Sequence, residues 1–229
     1  MKNILVTGGA GFIGSNLIKS LRKKYNNINI VSLDNYFTGS EENHIGGVQY
    51  IQGNTWDANI IFKDQSFDTV FHFGEYSRIV KSFEDINFVS KSILSGTPTI
   101  INLCKKWNAK LVYSASSSKF GNNGEDENLS PYAWMKSKMV ELIKNYNTWY
   151  DLGLLLASQR NDNHEWYLRS GVNTTMIDLA EMYGEWKMIP ERRGERFTSK
   201  YFQSDTEDRL NWKPIYNLTE WINIIKNGH

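Results

Sequence analysis

Apolar residues along the first two thirds of the chain fall in short runs separated by segments of helical period. Ile4-Leu5-Val6 is a run closed by Thr7-Gly8-Gly9, the pattern of a buried parallel strand. Behind it, Phe12, Ile13, Leu17, Ile18 and Leu21 recur on one side of a helix. Its far end carries Lys19, Arg22, Lys23 and Lys24, where cations suit the helix dipole. Ile28 to Leu33 predicts a second strand stopping at Asp34-Asn35, Val48 to Ile51 a third, and Thr69 to Phe73 a fourth. Residues 82–107 predict a long helix, bent or broken near Gly96-Thr97-Pro98. Lys110 to Tyr113 predicts a fifth strand running into the serines at 114 and 116–118. Pro131 to Tyr150 predicts a second long helix with proline in its first turn, and Leu154-Leu155-Leu156 a sixth strand.

Strands alternating with helices over residues 1–157 predict an α/β domain on a doubly wound parallel sheet, the Rossmann arrangement. From 158 to 229 that rhythm lapses. A helix near Thr174 to Tyr183, a charged turn at Glu191 to Arg196 and two closing helical stretches are expected there. Lys and Arg total 26 against 25 Asp and Glu, a net charge of +1, so no polyanion surface and no nucleic-acid partner is expected. One cysteine, Cys104, excludes an intrachain disulfide and a cysteine-based zinc site, and reads as a small buried hydrophobe. The four histidines show no ligand spacing, so no metal is expected, and His72 inside the fourth strand reads as packed. No apolar stretch is long enough for a bilayer, and Gly8, Gly9, Gly11 and Gly14 interrupt the opening run that might pass for a signal peptide. The expectation is a soluble, cytoplasmic protein with no membrane partner.

Gly8-x-x-Gly11-x-x-Gly14 falls between the first strand and the first helix. Glycines so placed permit a tight turn, admit a pyrophosphate to the backbone and let helix and strand pack closely. The helix N-terminus then offers free N–H groups to the phosphates. Asp34, about 20 residues further on, is placed to accept hydrogen bonds from an adenosine ribose diol and to repel a 2′-phosphate. No Arg or Lys lies between Asp34 and Gly39, which favours NAD over NADP. The competing account is a glycine-rich turn beside a solvent-facing aspartate. Agreement of strand, loop, helix and acid favours the cofactor site.

Tyr132 and Lys136 stand one turn apart on the second long helix and share a face. A lysine beside a tyrosine favours the phenolate, and an oxidised nicotinamide pushes the same way, so Tyr132 is a candidate base. Ser116, at the end of the fifth strand, is a candidate to hold the substrate oxygen that Tyr132 deprotonates. Taken alone, the pair reads as a packing aromatic and a solvated lysine. The upstream fingerprint and the serine cluster shift the reading to catalysis.

The segments VTGGAGFIGSNL (6–17), LDNYFTGSEEN (33–43), TVFHFGEYSRIVKSFED (69–85), KLVYSASSSKFG (110–121) and SPYAWMKSK (130–138) together resemble the extended short-chain dehydrogenase/reductases. The resemblance is to those acting on nucleotide-diphosphate sugars, of the UDP-glucose 4-epimerase kind. It implies an NAD site formed by Gly8, Gly11, Phe12, Ile13, Gly14, Asp34, Asn35, Asn54, Thr55, Phe73, Gly74, Tyr132 and Lys136. Catalysis would fall to Ser116, Tyr132 and Lys136. Asn54-Thr55 stands where the family shows a Gly-Asp-hydrophobic pattern touching adenine, and asparagine there still hydrogen-bonds. Residues 189–214, IPERRGERFTSKYFQSDTEDRLNWKP, resemble the family's closing segments and assign Arg192 to a substrate diphosphate, a task suited to guanidinium. On residues alone, a solvated charged turn is the alternative. The resemblance further implies Ser77, Arg78, Ser117, Ser118 and Asn163 on the substrate side. It also implies a homodimer pairing helices 82–107 and 131–150.

The pattern also breaks. Residues 160–192 are far shorter than the family's substrate domain at that place, Arg160-x-x-Asn163 matches its R-x-x-N only faintly, and the segment holding the substrate's phosphates is absent. The family asparagine ahead of Gly96-Thr97 is replaced, with Ile93-Leu94-Ser95 standing there. A large internal deletion describes these losses, so residues 158–229 form a reduced, truncated substrate-binding part. NAD binding is expected to survive, while turnover is at stake. Ser117-Ser118 occupy the places of the dehydratases' Asp-Glu pair, and family decarboxylases carry a glutamate there as well. C4 epimerisation of a UDP-sugar through a transient keto sugar is therefore the expected activity. The alternatives are a shortened NAD-binding relative without turnover, or another nucleotide-sugar oxidoreductase or dehydratase.

Overall fold

Five strands, β1 (Asn3–Thr7), β2 (Asn29–Asp34), β3 (Gln49–Gln52), β4 (Thr69–His72) and β5 (Lys110–Tyr113), form a parallel sheet in the order β3-β2-β1-β4-β5. These elements come from a computed structural model, which describes residues 2–116, 128–150, 176–185, 187–188, 190, 192, 208, 213 and 217–226. Ile4, Leu5 and Val6 are fully buried, as a central parallel strand covered on both faces requires. Their alternation divides the core in two. Leu5, Val70 and Leu111 face one side with Ile93, Ile100 and Ile143, while Ile4, Val6 and Phe71 face the other with Ile18 and Leu21.

Helix α1 (Phe12–Lys24) covers the second face. Its buried Gly14, Ser15, Ile18 and Leu21 lie on one stripe and Arg22, Lys23 and Lys24 close its last turn. Two short pieces beyond the expected elements, a 3₁₀ turn at Thr55–Asp57 and α2 (Ala58–Ile61), connect β3 toward β4. The segment over 82–107, expected as a long helix bent or broken near Gly96-Thr97-Pro98, is helical without a gap from Ile86 to Trp107 but changes type along its length. It is a 3₁₀ turn (Val80–Phe83), α3 (Ile86–Ser90), a π-helical turn (Lys91–Ser95) and α4 (Gly96–Trp107). At the junction, buried Thr55 lies so close to Gly96 that its hydroxyl occupies the space any Cβ there would need. Pro98 falls in the first turn of α4, directly after the π-helical turn. Asn108, in the left-handed region at φ 52°, ends that helix. Helix α5 (Pro131–Tyr150) begins as expected: Ser130 accepts from the Ala133 N–H at 3.1 Å and Pro131 fills the first position.

The sheet turns back on itself between β1 and β4, because the chain runs outward through β2 and β3 before crossing to β4 and β5. Ligands of open α/β sheets bind outside the strands' carboxyl ends at such a reversal. The chain divides into two compact units, and this sheet lies in the first. In the second, α6 (Met176–Tyr183) and α7 (Leu218–Lys226) meet where the Lys226 ammonium donates to the Met182 carbonyl. The expected strand at 154–156 and, of the charged turn, residues 191 and 193–196 lie outside the described residues. No described helix is long and apolar enough to cross a membrane.

Candidate functional site

The glycine loop follows β1 at the sheet's reversal. Gly8 adopts φ +74°, donates to the Leu33 carbonyl at 2.8 Å, and leaves no room for a side chain, since a Cβ would stand 2.8 Å from the Gly74 nitrogen. A Cβ on Gly14 would fall onto the Gly8 carbonyl. Gly11 is different: it meets only the Gly8 oxygen, so its open side is free for close approach. Gly11 also caps α1 without a side-chain bond, which leaves the first-turn N–H groups to an outside acceptor. Phe12 and Ile13 supply two of those groups and hold their side chains outward.

Asp34 ends β2 and is 8% exposed. Its two oxygens accept from the Ala10 and Tyr36 N–H groups, each at 2.9 Å, which ties the glycine loop to the β2 loop. A carboxylate has about four acceptor positions, so capacity for a diol remains. Next to it, the Asn35 amide donates to the Asn54 Oδ1 at 3.0 Å. Asn35, Asn54, Phe37, Gln52, Gly53 and Phe88 line a cleft of about 330 Å³, of a size for a flat heterocycle. Thr55 is buried under Gly96 instead of lining that cleft.

Beyond the loop, at the ends of β4 and β5, lies a buried hydrogen-bonded chain. The Gly74 N–H donates to the Thr7 hydroxyl at 2.9 Å, and that hydroxyl meets His72 Nδ1 at 2.7 Å. His72 Nε2 meets the Thr97 hydroxyl at 3.1 Å, and Thr97 donates to Glu75 Oε1, which also accepts from the Tyr113 hydroxyl at 3.2 Å. The Lys136 ammonium donates to Glu75 Oε2 and, at 2.6 Å, to the Ser114 carbonyl, with its nitrogen 4.2 Å from the Tyr113 ring centre. Counting donors assigns the imidazole: Thr97 spends its proton on Glu75, so Nε2 carries the His72 hydrogen and Nδ1 accepts from Thr7. Burial pushes His72 down to about 4, reinforced by Lys136 and opposed by Glu75, so the ring is neutral. Burial, then Glu75, holds the Tyr113 phenol well above its ordinary range, so it stays a donor.

Tyr132, half-buried, sits on α5 one turn before Lys136 and packs against the first core. Its backbone N–H points at the Ser82 hydroxyl, 3.4 Å away. Ser116 is half-buried two residues beyond Ser114. Phe73 and Gly74 continue β4 beside the glycine loop, while Ser77 and Arg78 are exposed on the following loop. Arg192 is exposed in the second unit. Ser117, Ser118 and Asn163 lie outside the described residues. Thr7, Glu75 and Tyr113 fall in the matching segments 6–17, 69–85 and 110–121 and Thr97 in the Gly96-Thr97-Pro98 breaker, but the sequence assigns none of them a role. The one available signal was a carboxylate three residues after a histidine inside a buried strand.

This arrangement can seat a dinucleotide: a cradle closed to Cβ atoms, an uncapped helix end, an acid with spare acceptors, a cleft for the base, and a lysine–tyrosine pair past the loop. The comparisons agree with that chemistry. A sequence profile described as the NAD dependent epimerase/dehydratase family matches residues 4–221. A dTDP-D-glucose 4,6-dehydratase of Dictyostelium discoideum is 29% identical over 191 residues, covering 70% of this chain and 44% of that protein. The chain spans about half the length of the curated relatives it matches. A Thermus thermophilus UDP-glucose 4-epimerase, crystallised with NAD, aligns with a TM-score of 0.60 and 27% identity over 66% of this chain and 53% of that one. A Thermotoga maritima UDP-glucose 4-epimerase, solved with UDP-glucose, shares the fold over 97% of this chain and 96% of its own, at TM-score 0.85 and 20% identity.

Proposed function

The chain belongs to the NAD dependent epimerase/dehydratase family, and from that premise we propose that it epimerises a UDP-sugar at C4 through a transient keto sugar. The observation that carries the reading is the pairing on α5. Tyr132 and Lys136 share a helix face, and Lys136 reaches the carboxyl ends of β4 and β5, next to the reversal between β1 and β4. Gly8, Gly11, Phe12, Ile13 and Gly14 would hold the cofactor's pyrophosphate, Asp34 its adenosine ribose, and the Asn35–Asn54 cleft its adenine. NAD, when bound, supplies the reversible hydride acceptor that such chemistry needs.

In this reading the Tyr132 phenolic oxygen takes the proton of the sugar's C4 hydroxyl and later returns it. Ser116 holds that same oxygen by hydrogen bond. The Lys136 cation favours the proton's departure by placing positive charge beside the phenol. Elimination would need an acid and a base at residues 117 and 118, where both are serine, so epimerisation is favoured over dehydration. The Dictyostelium relative is a dehydratase, which keeps that contrast testable. A second reading, NAD binding without turnover, is favoured by one feature of the sequence: residues 160–192 are far shorter than the resemblance requires of a substrate domain at that place. Against it, the Thermotoga protein is of matching extent and holds UDP-glucose.

The test is incubation of the purified chain with NAD and UDP-glucose or UDP-galactose, following interconversion of the two. Tyr132→Phe should lower the rate by about a hundredfold or more, the scale of a lost general base. Wild type and variant equally inert would defeat the reading.

A further inference from the structure

Glu75 stands three residues after β4, inside the matching segment 69–85 but with no role assigned to it there. Its side chain is 3% exposed, and so is that of Lys136, with which it forms an ion pair. Two charges shut away from water persist only when their remaining hydrogen-bonding capacity is met. Here it is. One carboxylate oxygen takes the ammonium, and the other takes the Thr97 and Tyr113 hydroxyls. Lys136 has the Ser114 carbonyl and the face of Tyr113 besides. The titratable groups in contact with the pair are His72 from β4, with Nε2 3.9 Å from Glu75, and Tyr113 from β5, whose phenol also feels Tyr132 of α5. Apart from the lysine itself, every group that fixes the ammonium comes from the sheet ends and α4.

We propose that Glu75 is a positioning residue for Lys136: it ties the ammonium to the carboxyl ends of β4 and β5, one helical turn from Tyr132, without itself touching the sugar. The inference rests on the reading of the Tyr132–Lys136 pair given above. A lysine stem has four rotatable bonds. Stripped of the carboxylate, this ammonium would keep one carbonyl and one ring face in a site closed to water, and would swing toward solvent. Tyr132 would then lose the neighbouring charge that helps it release and regain a proton, while the substrate's own contacts would be untouched.

The experiment is a double-mutant cycle in the full chain: Glu75→Gln, Lys136→Met and the two combined, with Glu75→Asp as the conservative variant. Steady-state rates are measured on UDP-glucose with NAD, and NAD affinity by calorimetry. Glu75→Gln should lower kcat roughly tenfold or more while KM for UDP-glucose moves less than about twofold, and Glu75→Asp should recover part of the loss. On the Lys136→Met background, Glu75→Gln should cost nothing further, in residual turnover or in NAD affinity, because it acts only through that lysine. The same loss on both backgrounds, or a raised KM with kcat intact, would overturn the proposal. If the wild-type chain turns over no UDP-sugar, the epimerase reading fails by itself. The cycle read as NAD affinity then still decides Glu75: coupled losses support its role and additive losses refute it. Should Glu75→Gln not fold, Glu75→Asp completes the same cycle.

Discussion

His72 links the site's chemistry to the protein's stability. Its ring is fully buried and neutral, and its folded value of about 4 lies below the ordinary 6.5 that the unfolded chain would show. As pH falls through 6.5 the unfolded chain takes up a proton that the folded one refuses, so folding weakens until about pH 4. Over that window the loss amounts to about 3 kcal/mol. Urea unfolding at both ends of the window should show this loss in wild type and a smaller one, by that amount, in His72→Gln. Equal losses would mean that His72 does not set the slope. The residues legible from sequence were those whose meaning lies in local spacing. Gly8, Gly11 and Gly14 are three apart because one turn needs them so, and Tyr132 and Lys136 four apart because one helix face does. Thr7, Thr97 and Tyr113 come from three different elements and Glu75 from the loop after β4, and only the folded sheet brings them to His72 and Lys136. His72 read as merely packed for the same reason: its two partners lie on β1 and α4.

At the scale of elements, the strands, α1 and the helical segment over 86–107 follow the apolar runs closely, but those runs do not show where that segment changes helix type. Val89, Ser92, Ile93, Gly96, Thr97 and Ile100 are all buried at helical spacing, straight through the π turn. The pattern therefore carries no mark of the extra width, and only the Gly96–Pro98 breaker hinted at a discontinuity. What the periodicity could not convey is that Thr55, from the β3–β4 connection, presses on the helix there. Gly96→Ala should consequently destabilise the fold by about 1–3 kcal/mol, the usual cost of forcing an atom into a filled space. Adding Thr55→Ala should restore much of it, as read from urea midpoints. A Gly96→Ala variant as stable as wild type would show that the two segments do not press on each other.

For the whole molecule, the order β3-β2-β1-β4-β5 places the glycine loop, Asp34 and the Glu75–Lys136 chain around one reversal of the sheet. That convergence was legible in outline because alternation of strand and helix leaves few ways to build a parallel sheet. Residues 158–229 offered no comparable rhythm, and their assignment to a substrate rested on the resemblance alone. Calorimetric titration of NAD and NADP into the purified chain decides whether the glycine loop and Asp34 form a cradle for NAD. Saturable binding of NAD well below millimolar is predicted, with NADP weaker by roughly tenfold or more because Asp34 repels a 2′-phosphate, and binding lost in Gly14→Ala. No binding at millimolar NAD, or NADP bound as tightly as NAD, would contradict it.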